Sequence, residues 1–146
     1  MNAVPKDHAW KDTPDVAQLL PNARAVADNP DAEIAEIEAM VIETVSAFEA
    51  RLQHHFARGP FFVKLRNKLA AEGHTALAQT VYHYYLAANV LKHGGGKSLR
   101  ELEKIEPAPF TLQDEEGKAL VDVTADGFLS GLIDALGKSS NALAAK

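Results

Sequence analysis

The stretch that decides the fold of this protein is NPDAEIAEIEAMVIETVSAFEARLQHHFARGP, residues 29–60. Asn29 and Pro30 are typical of a helix start, because an asparagine side chain caps free amides and proline suits the first turn. Apolar side chains then recur at steps of three and four residues and form one stripe: Ile34, Ile37, Val41, Val45, Phe48, Leu52 and Phe56. Gly59 and Pro60 close the pattern. The sequence therefore predicts a long amphipathic helix that packs against other helices.

Two more helices are predicted downstream, at residues 61–72 and 75–92. The first is followed by Gly73 and the second by His93-Gly94-Gly95-Gly96, and glycine readily adopts the left-handed conformation found after many helices. Ser98, followed three residues later by Glu101, has the spacing of a capping box. This spacing predicts a short further helix that begins at Ser98.

The pattern changes over residues 110–123, where short apolar runs flank a polar turn and predict a small β-hairpin. Thr124 or Asp126 is expected to cap a last helix, which Gly137 ends. These elements predict a mainly α fold, an up-and-down helical bundle of about four main helices with a small β-hairpin near the C-terminus.

Three segments are expected along the chain: an N-terminal arm at residues 1–28, a helical bundle domain at residues 29–137 and a loosely ordered tail at residues 138–146. The prolines of the arm, which are expected to interrupt any long helix, are Pro5, Pro14 and Pro21. Trp10, the only tryptophan, is expected to anchor the arm to the bundle. The alternative is a frayed terminus.

The composition excludes several classes of protein. The 146 residues include no cysteine, which excludes disulfides, thiolate catalysis and zinc sites built on sulfur. No apolar run approaches the roughly 18 residues that indicate a membrane span. The first residues also lack the apolar stretch of a secretory signal. We therefore expect a cytoplasmic protein that does not contact a membrane.

The net charge of −5 is distributed unevenly. Between Arg51 and Ile105 there are nine Lys or Arg and three Glu, so this segment carries +6 and the remainder carries −11. Such asymmetry can mark a face that binds phosphate or nucleic acid. The alternative is a basic face that packs on acidic neighbours within the fold.

Metal and cofactor sites are not expected. His54 and His55 are adjacent, so on a helix they would point about 100° apart and could not share one ion. The chain has no His-Glu-x-x-His pair and no Gly-x-Ser-x-Gly nucleophile elbow. The sequence therefore predicts neither metal-dependent nor serine-nucleophile chemistry.

The most distinctive pattern lies on the helix predicted at residues 75–92. Tyr82, Tyr85, Asn89 and His93 recur at steps of three and four and form a polar-aromatic stripe beside the apolar one. A histidine near a helix end and within reach of an amide can act as a general acid or base near neutral pH. The alternative is structural: both tyrosines pack at an interface, Asn89 hydrogen-bonds a neighbouring helix and His93 ends its helix.

A glycine-rich segment follows this stripe and consists of Gly94, Gly95, Gly96, Lys97 and Ser98. It is not a phosphate-binding P-loop, because that motif requires a glycine where this chain has a leucine, at the fifth position before Gly96. Free backbone amides, a lysine and the start of a helix can nevertheless bind an anion. The alternative is a flexible linker between two helices.

The segment Ala88-Asn89-Val90-Leu91-Lys92-His93 resembles the signature of HEPN domains, which are helical bundles of about this size. That signature is an arginine, a polar residue (often asparagine), three variable residues and a histidine. The resemblance implies a homodimer that cuts RNA without metal, with His93 as the general acid/base and Asn89 as the group that orients it. Ala88 holds the arginine position, so the guanidinium that would stabilise charge on the phosphate is missing.

Three hypotheses about function remain open. The first is a non-catalytic HEPN-like homodimer that binds a phosphate-containing ligand (nucleotide or RNA) or a protein partner. The second is a metal-independent ribonuclease of a toxin–antitoxin or defence system, in which His93 and Asn89 are catalytic. The third is a helical protein-interaction module without a ligand. The residues assigned to ligand binding are Tyr82, Tyr85, Gly94, Gly95, Gly96, Lys97 and Ser98.

Overall fold

The computed structural model describes residues 16–53, 56, 60–94, 96–110, 112–115, 118–125 and 127–144. Several features used in the sequence analysis lie outside this range: Pro5, Trp10, Pro14, the pair His54-His55, Gly59 and Gly95. Asp126, one of the two residues expected to cap the last helix, lies outside it as well.

Helices make up most of the described chain. They are α1 (Val16–Ala27), α2 (Ile34–Leu52), α3 (Phe61–Ala71), α4 (Thr75–His93), α5 (Lys97–Glu103) and α6 (Phe128–Ala144). These six described helices pack together, which confirms the prediction of a mainly α protein. Among the described residues, no helix is both long and apolar enough to span a bilayer.

Two short strands lie between α5 and α6. β1 (Leu112–Glu115) pairs antiparallel with β2 (Lys118–Val121), and Leu112 lies opposite Val121 at the open end of the ladder. The sequence predicts a turn over residues 114–117, but Asp114 and Glu115 belong to β1 instead, and residues 116 and 117 lie outside the described residues. Val121 is buried, so the end of β2 contributes to the core.

Helix α4 lies at the centre of the fold. It packs against α2, α3, α5, α6 and β2. The sequence predicts a single apolar face on this helix, but the four residues buried within its C-terminal half point in several directions: Leu86, Ala87, Ala88 and Val90. Small side chains such as alanine let neighbouring helices approach from more than one side. The C-terminal half of α4 is therefore enclosed by its neighbours.

The predicted start of α2 at Asn29-Pro30 was wrong, because the helix begins at Ile34 with Glu33 as its N-cap residue. The Asn29 side chain instead accepts a hydrogen bond from the Asp31 amide at 2.9 Å. This local turn competes with the helical conformation at the same amides. Ile34, which the sequence places in the apolar stripe, is consequently 57 % exposed at the first turn.

The expectation that Pro21 interrupts the N-terminal segment was also wrong, because Pro21 lies inside α1. Proline lacks the amide hydrogen, so it removes one hydrogen bond from the second turn of this helix. Tertiary contacts outweigh this loss, because α1 packs against α2 and α6 and Ala23 is fully buried. Arg24 also pairs with Asp134 of α6 at 3.2 Å.

The last helix does not end at Gly137 as predicted, and residues 138–144 are helical instead of a loose tail. A glycine inside a helix costs about 0.5–1 kcal/mol relative to alanine. Burial of Leu143, which is 3 % exposed, contributes more than that. The Ser139 hydroxyl is fully buried and donates to the Ala135 carbonyl at 2.9 Å, so it is compatible with the core.

Candidate functional site

Two residues of the predicted stripe on α4, Tyr82 and Asn89, contact α5. The Tyr82 hydroxyl donates to Oε2 of Glu101 at 3.0 Å, and Nδ2 of Asn89 donates to Oγ of Ser98 at 3.2 Å. The later of the two α5 residues pairs with the earlier of the two α4 residues, so the two helices run antiparallel. The hydrogen bonds of Tyr82 and Asn89 therefore hold α5 against α4, the central helix of the fold.

These contacts correct the predicted capping box. The N-cap residue of α5 is Gly96, and no side chain caps the helix. Ser98 and Glu101 have the spacing of a capping box, but residues three apart also share one helix face. That face points towards α4, so the serine hydroxyl and the glutamate carboxylate bind side chains of α4 instead of the first amides of α5.

The aromatic part of the stripe is covered by α3. The Tyr85 ring stacks on the Phe62 ring with centroids 4.8 Å apart, and the Tyr82 ring lies 5.6 Å from the Tyr85 ring. The Arg66 guanidinium carbon lies 4.3 Å from the centroid of the Tyr82 ring, within the range of a cation–π contact. Both tyrosines therefore make contacts within the fold, as the structural alternative for this stripe describes.

Electrostatics at Tyr82 favour its neutral phenol. Burial raises the pKa of Tyr82, and the hydrogen bond to the Glu101 carboxylate and its charge raise it further. The Arg66 guanidinium lowers the same pKa by a smaller amount. Tyr82 therefore acts as a hydrogen-bond donor in this arrangement.

His93 lies at the other end of the stripe, where α4 stops. Its side chain is exposed, and Gly94 follows it in the left-handed conformation with φ +83° and its amide bonded to the Val90 carbonyl. Among the described residues, no hydrogen bond joins Asn89 to His93. The structure thus brings Asn89 to Ser98, while His93 and Lys97 face solvent at the turn between α4 and α5.

An exposed basic surface runs from this turn along α5, and the sequence did not predict it as a unit. It consists of Lys92, His93, Lys97, Arg100 and Lys104, and we call it the basic surface. Three of these residues follow one another at steps of three and four, so they share the solvent face of α5. Glu103, also exposed, is an acidic residue at the edge of this face. The charge spacing within residues 97–104 was the signal that could have revealed it.

Other titratable groups offer little support for catalysis. His83, also on α4, is partly buried, and desolvation lowers its pKa. Within the described ranges, no group of three His, Asp or Glu is close enough to hold a metal ion.

Comparisons of this chain with protein-family models, with curated protein sequences and with solved structures found no match. The resemblance to HEPN domains therefore rests on the short motif in α4 alone. Its arginine position, Ala88, is 5 % exposed, so a guanidinium there would point into the packed interior.

Proposed function

We propose that this protein binds a phosphate-containing ligand, a nucleotide or a short RNA strand, at the basic surface. The observation that carries the proposal is an exposed row of basic residues that runs from the α4–α5 turn along α5: Lys92, His93, Lys97, Arg100 and Lys104. Lysine and arginine supply most of the affinity for phosphate by displacing its counterions. Gly96 has no side chain and the space beside its Cα is open, so the backbone is accessible at this turn.

The same geometry favours binding over cleavage. A ribonuclease needs a general acid or base held beside a group that stabilises charge on the phosphate. The Asn89 side chain donates a hydrogen bond to Ser98, and Ala88, at the position of the missing arginine, is buried. His93 is therefore better suited to contact a phosphate than to be oriented by Asn89 for proton transfer.

The test measures the anisotropy of a fluorescein-labelled single-stranded RNA as protein is added. We expect the double variant Lys97→Ala/Arg100→Ala to bind about tenfold more weakly at low salt, because each cation neutralises phosphate charge. Lys138→Ala is the matched control, since this lysine is exposed on α6, which packs against α1, α2 and α4. Displacement of the labelled RNA by ATP or by inorganic phosphate tests whether the protein prefers a nucleotide to an RNA strand.

Unchanged RNA and ATP affinity in the double variant would contradict the proposal and favour the protein-interaction hypothesis. Incubation with RNA in EDTA tests the ribonuclease hypothesis at the same time. Under our proposal the strand stays intact. Cleavage by the wild-type protein that His93→Ala abolishes would replace binding with catalysis.

A further inference from the structure

A cleft of about 380 Å³ lies between the connection from α1 to α2 and the segment that leads from β2 into α6. One wall comes from the end of α1, the residues that follow it and the start of α2. The other wall comes from residues 123–125 and from the first turn of α6. The volume is within the range of roughly 300–1,000 Å³ that is typical of small-molecule sites. None of the residues that form the basic surface lines this cleft, so it is a separate candidate site.

The lining of this cleft carries no charge. None of the described residues that line it is acidic, basic or histidine. Asp28 and Asp31, which flank Asn29 and Pro30 in the chain, are exposed and do not line it. An ion that entered the cleft would lose hydration without gaining an opposite charge from the walls. The lining therefore favours an uncharged ligand.

Three uncharged polar side chains line the cleft: Asn29, Thr124 and Ser130. Oδ1 of Asn29 already accepts a hydrogen bond from the Asp31 amide at 2.9 Å, so the Nδ2 group is left as a donor. The Thr124 hydroxyl donates to Oδ1 of Asp122 at 2.6 Å, so its oxygen is left as an acceptor. Within the part of the chain that the structure describes, the Ser130 hydroxyl has no hydrogen-bond partner. The cleft thus offers a donor, an acceptor and a hydroxyl that serves as either.

Apolar surface is accessible on the wall formed by α1 and α2. Pro30 is exposed, and Val26, Ala32 and Ile37 are partly exposed. Contact with these side chains removes apolar ligand surface from water, which contributes affinity without a specific polar contact. Phe128 also lines the cleft, but it is buried in the core and is not needed for this contact.

We propose that this cleft binds a small uncharged carboxamide, a molecule with a planar amide group on an apolar body. A primary or secondary carboxamide has a carbonyl acceptor and an N–H donor, which match the two kinds of group in the lining. The ligand carbonyl accepts a hydrogen bond from Nδ2 of Asn29, and its N–H donates to Oγ1 of Thr124. The apolar body packs against Pro30 and Ile37. This inference does not depend on the phosphate-binding proposal.

The test is an NMR titration of the full chain with benzamide, benzoate and benzylammonium, which are similar in shape and differ in charge. We expect benzamide to shift the amide signals of Ala32 and Ser130, which line this cleft. Each ion should bind at least about tenfold more weakly than benzamide, because the cleft does not compensate its charge. Tighter binding of either ion would overturn the assignment to an uncharged ligand. The absence of a shift with all three probes would overturn the site.

A fourth probe tests the amide group itself. N,N-dimethylbenzamide keeps the carbonyl and lacks the N–H donors, so it should bind about tenfold more weakly than benzamide. Equal binding of the two amides would overturn the carboxamide assignment, because it would show that the N–H group makes no contact.

A substitution assigns the effect to Asn29. Asn29→Asp keeps an oxygen acceptor for the Asp31 amide and removes the Nδ2 donor, so it should weaken benzamide about tenfold. Asn141→Asp is the matched control, because Asn141 is exposed on α6 and does not line the cleft. Equal benzamide affinity in the two variants would overturn the proposed contact. Lys97→Ala/Arg100→Ala should leave benzamide binding unaltered, which separates this inference from the proposed function.

Discussion

At the residue scale, the contact between Gly131 and Tyr84 shows how a single missing side chain shapes the fold. A Cβ atom at position 131 would lie 2.5 Å from the Tyr84 hydroxyl oxygen, which is already bonded to the Phe128 carbonyl. We expect Gly131→Ala to destabilise the protein by about 1–3 kcal/mol, because the crowded hydroxyl cannot move without losing that hydrogen bond. Urea denaturation of the variant and the wild type measures the difference.

Gly137 is the matched control for this prediction, since it lies on the same helix. A Cβ atom there would meet a methyl group of Leu20 at 3.5 Å, an ordinary van der Waals distance. Gly137→Ala should therefore stabilise the protein by about 0.5–1 kcal/mol, the usual gain for alanine inside a helix. Equal effects of the two substitutions would show that helix propensity, and not the approach of Tyr84, decides the outcome at Gly131.

Tyr84 also predicts how stability depends on pH. Burial raises its pKa to about 12, with a further contribution from the charge of Asp134. Above pH 10 the phenol ionises in the unfolded chain while it stays neutral in the folded one, so the free energy of unfolding falls until the folded phenol also ionises. The stabilisation is complete below pH 10, and about 2 kcal/mol of it is lost by pH 12.

Tyr84→Phe isolates this contribution from that of the other two tyrosines. The variant should be less stable by about 1 kcal/mol at neutral pH, because the hydrogen bond to the Phe128 carbonyl is missing. It should lose less additional stability than the wild type between pH 10 and pH 12. Parallel pH profiles of wild type and variant, measured by urea denaturation, would contradict the assignment to Tyr84.

At the scale of elements, α5 is stabilised mainly by the contacts of its side chains with α4. It has seven residues, which is too short for a stable helix without tertiary contacts. We expect Ser98→Ala or Tyr82→Phe to cost about 1 kcal/mol and to increase hydrogen exchange in α5 more than in α2. Ser46→Ala, at an exposed position of α2, is the control. Exchange in α5 that matches the wild type would show that the apolar contacts of Leu99 and Leu102 are enough to hold this helix.

How accurately the sequence predicts the ends of an element depends on the kind of residue found at those ends. α3 and α4 were predicted to within one residue, because glycine and proline at their ends act through the backbone alone. Asn29, Pro21 and Gly137 are also local signals, yet each was overridden. At these positions a competing side-chain turn or burial of distant side chains decides the conformation.

At the scale of the whole molecule, the candidate site shows what periodicity can and cannot reveal. The spacing of Tyr82, Tyr85 and Asn89 predicted that they share a face, and the contacts of Tyr82 and Asn89 with α5 confirm this for two of them. It could not identify Ser98 or Glu101 as their partners, because that pairing depends on how α5 folds back after the glycine-rich turn. The packing of Tyr84 against Phe110 and Phe128 was not predicted, because Tyr84 lies far in sequence from both.

The core includes the end of α6 but not the start of α2, and this difference can be tested by substitution. Leu143, in the segment expected to be a tail, is 3 % exposed, whereas Ile34, in the segment expected to be core, is 57 % exposed. Leu143→Ala should therefore lower the free energy of unfolding by about 2–4 kcal/mol, while Ile34→Ala should change it by less than about 0.5 kcal/mol. Both substitutions remove aliphatic side chains of the same size in a helix, so propensity alone cannot separate them. If Ile34→Ala proved the more damaging of the two in thermal or urea denaturation, the last turns of α6 would not belong to the core.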